Sequence, residues 1–233
     1  MPAARQHPAT RRTGTRPPPA GAPALGAKAT RAAATREHLI DTAIDVLHAR
    51  SYHGATVFEV AKAAGVTHGA LQHHFGSKAV MMMQVTDAIL RASGPDGVAW
   101  PQAGGPLAQR CDALVQALWT RVYAPPRFLA AWAVYFGSAG EPELRSHVAE
   151  QRRALTHNLH ARFVEVLPEL ASHPQSQALV QLVLTALRGL AMTRLFGADE
   201  AAESAQRTLL AQLLASQTAL APPPSPPRRR RNP

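Results

Sequence analysis

The sequence predicts an all-α fold: a three-helix head carrying a helix-turn-helix, followed by a larger helical domain, about nine helices in all. Three observations predict it. Apolar residues recur at helical spacing through most of the chain, with few strand signals. Two short periodic segments meet at a Gly inside residues 56–78. The chain has 233 residues at 46% hydrophobic content, enough to bury a core well beyond what a head of ~55 residues needs.

At the start of the chain, residues 1–33 form a Pro-, Ala- and Arg-rich arm that lacks the apolar surface to fold and is expected to be disordered. A helix is expected over Thr35 to Arg50. Thr56 then caps a helix of about two turns whose apolar face is Val57, Val60, Ala61 and Ala64. Gly65 supplies the positive φ that lets the chain reverse, and Ala61 is small enough for the next helix to cross close by. Thr67 caps that helix, which turns Leu71 and Phe75 toward the core. His68, Gly69, Gln72 and His73 are left facing outward, a polar and nearly charge-free set suited to the edges of bases in a DNA major groove. Ser77 caps a further helix, and Lys78 in its first turn is within reach of a phosphate.

Residues 61–78 read AKAAGVTHGALQHHFGSK. This stretch resembles the DNA-binding domain of the TetR family of transcriptional regulators, whose pattern is close to A..AGVS.GALYHHF.SK. The resemblance covers Thr35 to about Leu90 closely and is architectural beyond it. It implies that Thr56 and Lys78 contact phosphates and that Thr67, His68, Gly69, Gln72 and His73 face the DNA. Gln72 stands where the family usually has Tyr, and Phe58 where a polar or basic residue is common, so operator preference is not inherited. Gln pairs bidentately with adenine, which marks Gln72 as a direct base reader. His73 and His74 lack a third partner for a metal, and no cofactor is implied.

Charge is concentrated at the ends. Residues 1–36 and Arg228 to Arg231 hold eleven of the 25 basic side chains and no acidic one, leaving fourteen basic against fifteen acidic in between. The net +10 therefore describes the tails. Pro222 to Pro227 is nearly unbroken, so residues 221–233 are also expected to be disordered. Two readings of the N-terminal arm stand level: sequence-independent phosphate contacts, or the product of GC-rich coding and an overlong reading frame. A general DNA-coating or architectural protein driven by its tails is the alternative function, and the near-neutral centre argues against it. No nucleophile–base pair, metal spacing or phosphate-cradling Gly loop supports an enzyme. Cys111 is the only cysteine, which excludes a disulfide framework. With no run approaching ~18 apolar residues and no apolar leader, no membrane partner is expected and the location is cytoplasmic.

After a Gly-rich connection over 94–106, helices are expected over 107–122, up to Gly137, 142–167, 174–196 and 199–219, with breaks at Pro125–Pro126, Pro168 and Pro174. Six of the twelve aromatics, Trp119, Tyr123, Phe128, Trp132, Tyr135 and Phe136, fall within eighteen residues. Trp119 and Tyr123 at i and i+4, and Phe128, Trp132 and Phe136 likewise, set up two walls of a cavity. The family resemblance implies that a small-molecule effector binds among these helices, with Arg121 or Arg127 nearby to orient it. The last two helices carry Leu179, Leu182, Val183, Ala186, Leu187 and Leu190, then Leu209, Leu210, Leu213 and Leu214. Small residues Ala186, Gly189 and Thr193 let another helix approach, so a four-helix homodimer interface is expected, with burial within the monomer as the competing account. The chain is thus expected to comprise an arm over 1–33, a DNA-binding head over 34–92, a ligand-binding and dimerisation domain over 106–220 and a tail over 221–233. The expected function is a ligand-responsive regulator, most often a repressor, that binds double-stranded palindromic DNA as a dimer.

Overall fold

A computed structural model describes residues 23–94 and 97–220, with side chains from residue 29 onward. The expectations for residues 1–22, the Pro222 to Pro227 run and Arg228 to Arg231 lie outside the described residues. Nine α-helices stand among the described residues, with no strand. They are α1 (Pro23–Gly54), α2 (Val57–Ala63), α3 (His68–Phe75), α4 (Lys78–Ala92), α5 (Leu107–Leu118), α6 (Pro126–Gly137), α7 (Pro142–Val166), α8 (Ser176–Thr193) and α9 (Glu200–Thr218).

The first difference from expectation is the start of α1. Residues 23–33 are helical and not disordered, because the stretch from Ala24 to Ala34 is rich in Ala, the strongest helix former. Regular helix ends where expected, after Arg50, since Ser51 takes φ 58° and breaks the run. That left-handed serine carries a conformational cost, and close packing of the next residue offsets it. The Tyr52 ring lies so near Gly137 that a Cβ there would fall 2.2 Å from the Tyr52 side chain.

Local signals place the helix-turn-helix. Thr56, Thr67 and Ser77 each accept from the backbone N–H three residues on, at 3.2 Å, capping α2, α3 and α4. Gly65, at φ 67°, closes α2 with paired bonds from Val66 N to the Ala61 carbonyl at 3.0 Å and from Gly65 N to that of Lys62 at 3.3 Å. Asp199 caps α9 in the same manner as the threonines.

Two buried clusters result, and their boundary is not the Gly-rich connection. The first joins Leu39, Leu47, Val60, Leu71, Met81 and Val85 of α1–α4 to Ala130 and Val134 of α6 and Leu144 and Val148 of α7. The second gathers α5, the rest of α7, α8 and the inner side of α9 around Leu114, Leu118, Phe163 and Leu187. Arg110 fixes this second core, with both terminal guanidinium nitrogens on Glu169 at 2.5 and 3.0 Å and a further bond to the Val166 carbonyl at 3.0 Å. Ser176–Phe196 is long and apolar enough to cross a membrane by length and composition alone. Its Leu179, Val183, Leu187 and Leu190 instead lie buried in the second core.

Candidate functional site

The outer surface of α3 is built by exclusion. Leu71 and Phe75, at i and i+4, are buried in the first core, which turns Thr67, His68, Gly69, Gln72 and His73 outward, all exposed. Ala70 joins them, and its methyl offers the apolar contact that a thymine methyl accepts. The polar groups of this face are held by their own backbone. The Thr67 hydroxyl caps the helix start, and Gln72 Nε2 donates to the Gly76 carbonyl at 2.6 Å. Thr56 likewise spends its acceptor on Glu59 N and keeps its O–H as a donor. Phe58, the departure on α2, is 62% exposed and does not pack inward. Among the described residues no group of three His, Cys, Asp or Glu is placed to hold a metal ion.

Lys78 is half-buried. Its Nζ donates to the Tyr52 carbonyl at 2.8 Å and lies 4.1 Å from the centre of the Tyr52 ring. Burial lowers its pKa, against the charge of Glu141, which raises it. An ammonium has three donors, so a phosphate contact is compatible with this seat. The Tyr52 hydroxyl donates to the Glu141 carboxylate, and burial together with that bond pushes the phenol far above its ordinary range. Tyr52 thus ties the end of α1 both to the start of α4 and to the residue preceding α7. A second tie, His147 Nε2 to Asp87 Oδ1 at 2.7 Å, joins α7 to the middle of α4.

Above these ties lies a cavity of about 90 Å³ at the seam of the two cores. Tyr123, Phe128, Trp132 and Tyr135 wall one side. Successive rings meet edge to face, at 5.2 Å for Tyr123–Phe128, 6.4 Å for Phe128–Trp132 and 5.4 Å for Trp132–Tyr135. Thr86, Ile89 and Leu90 of α4 close the floor, and Leu155 and Leu159 of α7 the far side.

Trp119 and Phe136 stand outside the cavity. The helix after Leu118 widens into a π turn over Trp119–Tyr123, with Ala124 N bonded to the Trp119 carbonyl at 2.8 Å. The extra residue in that turn breaks the i,i+4 alignment on which the shared wall depends. Trp119 is buried between the guanidiniums of Arg194 and Arg207, at 5.0 and 4.9 Å, both of which reach Glu203 of α9. It fastens α9 to α5. Phe136 is 61% exposed and stacks on Trp132 from outside. Arg121 and Arg127 are exposed and take no part in the cavity lining.

The arginines of the cavity are Arg152 of α7 and Arg188 of α8. Burial pushes the Tyr123 phenol up to about 12, against the opposing charge and hydrogen bond of Arg188 and the weaker charge of Arg152. Arg188 also stands 5.9 Å from the Trp132 ring. Arg188 had a sequence signal: it is the one charge in the leucine-rich α8 and follows buried Leu184 by four residues. Arg152 had none, since α7 carries four arginines with nothing to separate them by face.

Residues 39–85 match the family described as bacterial regulatory proteins, tetR family, and residues 106–216 match the tetracyclin repressor-like C-terminal domain. The chain is 27% identical over 165 residues to the HTH-type transcriptional regulator BetI of Brucella abortus, spanning 70% of this chain and 81% of that protein. It is 28% identical over 125 residues to BetI of Rhizobium meliloti, spanning 53% and 62%. Among solved structures, a transcriptional regulator from Rhodococcus sp. Rha1 shares the fold at TM-score 0.59 and 25% identity, over 80% of this chain and 95% of its own. The transcriptional regulator FadR of Bacillus subtilis, solved with stearoyl-CoA, shares it at TM-score 0.54 and 17% identity, over 78% and 98%.

Proposed function

This chain belongs to the tetR family of bacterial regulatory proteins, and from that premise we propose a repressor that binds a palindromic operator as a homodimer and leaves it when a small effector enters the cavity. It is a DNA-binding transcription regulator and not an enzyme. The observation that carries the mechanism is that α4 does two things. It starts directly after α3 at the Ser77 cap, and its last turns form the cavity floor through Thr86, Ile89 and Leu90. An effector pressing on that floor acts on the helix that holds the reading head. It shifts the balance of head positions only by its difference in affinity between them.

An outward stripe supports the homodimer. Leu182, Ala186, Gly189 and Thr193 line one exposed side of α8, and exposed Leu209 and Leu213 line one side of α9. A Cβ at Gly189 would meet nothing within 4 Å, so a partner helix has room to approach. Two heads in one dimer read half-sites one helical turn or a multiple apart, and phosphate contacts from Thr56 and Lys78 fix the register. Such a protein works in the cytoplasm, on DNA.

Fragments of genomic DNA selected on the full chain give the operator, and sedimentation gives the mass bound to it. A footprint on one inverted repeat with two chains per site is the expected result. Binding of one chain to a half-site, or coating without a preferred sequence, overturns the dimeric reading. Loss of the footprint on adding a small molecule, restored when Ile89→Trp fills the cavity floor, ties release to this cavity. Release that survives Ile89→Trp overturns that part.

A further inference from the structure

Arg152 and Arg188 enter the cavity together, from different helices, and no Asp, Glu or Lys lines it. Among the described residues neither guanidinium is ion-paired. A guanidinium stays protonated at any working pH, so two positive charges face one small, mostly apolar space without a counter-charge. That arrangement is unfavourable when empty and favourable around an anion, because planar guanidiniums match a carboxylate in geometry as well as charge. The Tyr123 hydroxyl, on the same side as Arg188, adds a donor. Arg188 is half-buried and Arg152 is exposed at the mouth, so the anionic end lies toward solvent and the apolar end toward Phe128 and Ile89.

Size narrows the class. An apolar cavity of roughly 150 Å³ takes benzene, so about 90 Å³ encloses less than a whole ring, admits one only with its polar end in the open mouth, and excludes a long acyl chain in this conformation. The edge-to-face row of Tyr123, Phe128 and Trp132 presents ring edges and faces to such a ring.

We infer that the effector is a small aromatic carboxylate, its carboxylate held between Arg152 and Arg188 and its ring laid against Tyr123, Phe128 and Trp132. This rests on the reading of the cavity as the effector site.

Calorimetry on the full chain tests it with three matched series: benzoate, phenylacetate and hydrocinnamate, each beside the alcohol and the ammonium of the same skeleton. The best carboxylate is expected to bind at least roughly tenfold more tightly than its alcohol and its ammonium. Arg188→Gln brings the ratio of carboxylate to alcohol affinity down to about one, and Arg152→Gln at the exposed mouth lowers that ratio in part. If no series prefers the carboxylate, if none of the nine compounds binds, or if both variants keep the preference, the inference is overturned. Operator binding separates this from the reading beneath it. A carboxylate that binds through the arginines yet leaves the footprint intact overturns the effector reading and leaves the anion site standing. An alcohol or ammonium that alone releases operator overturns the anion and leaves the effector reading standing.

Discussion

The α3 face and the cavity are built by opposite means. On α3, each exposed side chain is placed by neighbours a few residues away: a threonine cap, a positive-φ glycine, and two core residues one turn apart. In the cavity, groups from α4, α6, α7 and α8 and the π turn converge across more than a hundred residues of chain. Short-range geometry makes a rigid reading surface. Long-range convergence makes a space whose shape depends on how several helices sit. The two are nonetheless not independent, because Ala130, Val134, Leu144 and Val148 of the body are buried in the same core as Leu71 and Phe75 of the head. The cavity lies at that seam, where a change in packing reaches both sides.

The strongest test of the shared core is to damage one side and watch the other. Leu71→Ala in the head and Leu114→Ala in the body each remove a fully buried leucine, and each is expected to cost about 2–5 kcal/mol. Trp100, Trp119 and Trp132 all lie in the body, so tryptophan emission follows the body while far-UV circular dichroism follows every helix. In urea, Leu71→Ala should lower both midpoints together. A variant that loses head helicity first, with the tryptophan transition unmoved, would break the shared core into two separate units.

The same contrast explains what the sequence made legible. The caps at Thr56, Thr67, Ser77 and Asp199, the Gly65 reversal and the inward Leu71 and Phe75 depend on three- and four-residue spacings, and all stand where those spacings put them. Of the six aromatics clustered over residues 119–136, four line the cavity. Trp119 does not, because one extra residue in a π turn cannot be read from side-chain spacing. Arg152 does line it, because tertiary packing picks one arginine out of four on α7. The helical start at Pro23 was masked by composition: an Ala-rich stretch sits within a Pro- and Arg-rich arm, and the average hid it.

Gln72 sharpens the comparison at the head. Its amide is held on the Gly76 carbonyl, and reading a base means exchanging that bond for a bidentate pair with adenine. Gln72→Ala is expected to lose about 1–3 kcal/mol of discrimination at a single base pair, with affinity at the other positions nearly level. Titrating the variant against single-base operator changes gives the pattern directly. An equal loss at every position would mean that Gln72 only caps α3, and that His68 or His73 carries the reading.

The smallest effect belongs to the body, where Arg110 and Glu169 close the second core. The bidentate bond to Arg110 holds the Glu169 carboxyl below its ordinary 4.5, against burial, which raises it. A depressed folded-state pKa stabilises above the unfolded value and is lost as pH falls through the folded one. Glu169→Gln should therefore cost about 1 kcal/mol at neutral pH, a modest figure because the Glu169 side chain is 37% exposed. As pH falls below 4.5 and on through the lower folded-state value, the native carboxyl takes up its proton as well, and the gap between variant and native protein should close. Urea midpoints across that range decide the matter. A gap that stays constant on acidification would show that Glu169 acts through packing alone, leaving Arg110 held by the Val166 and Gly105 carbonyls.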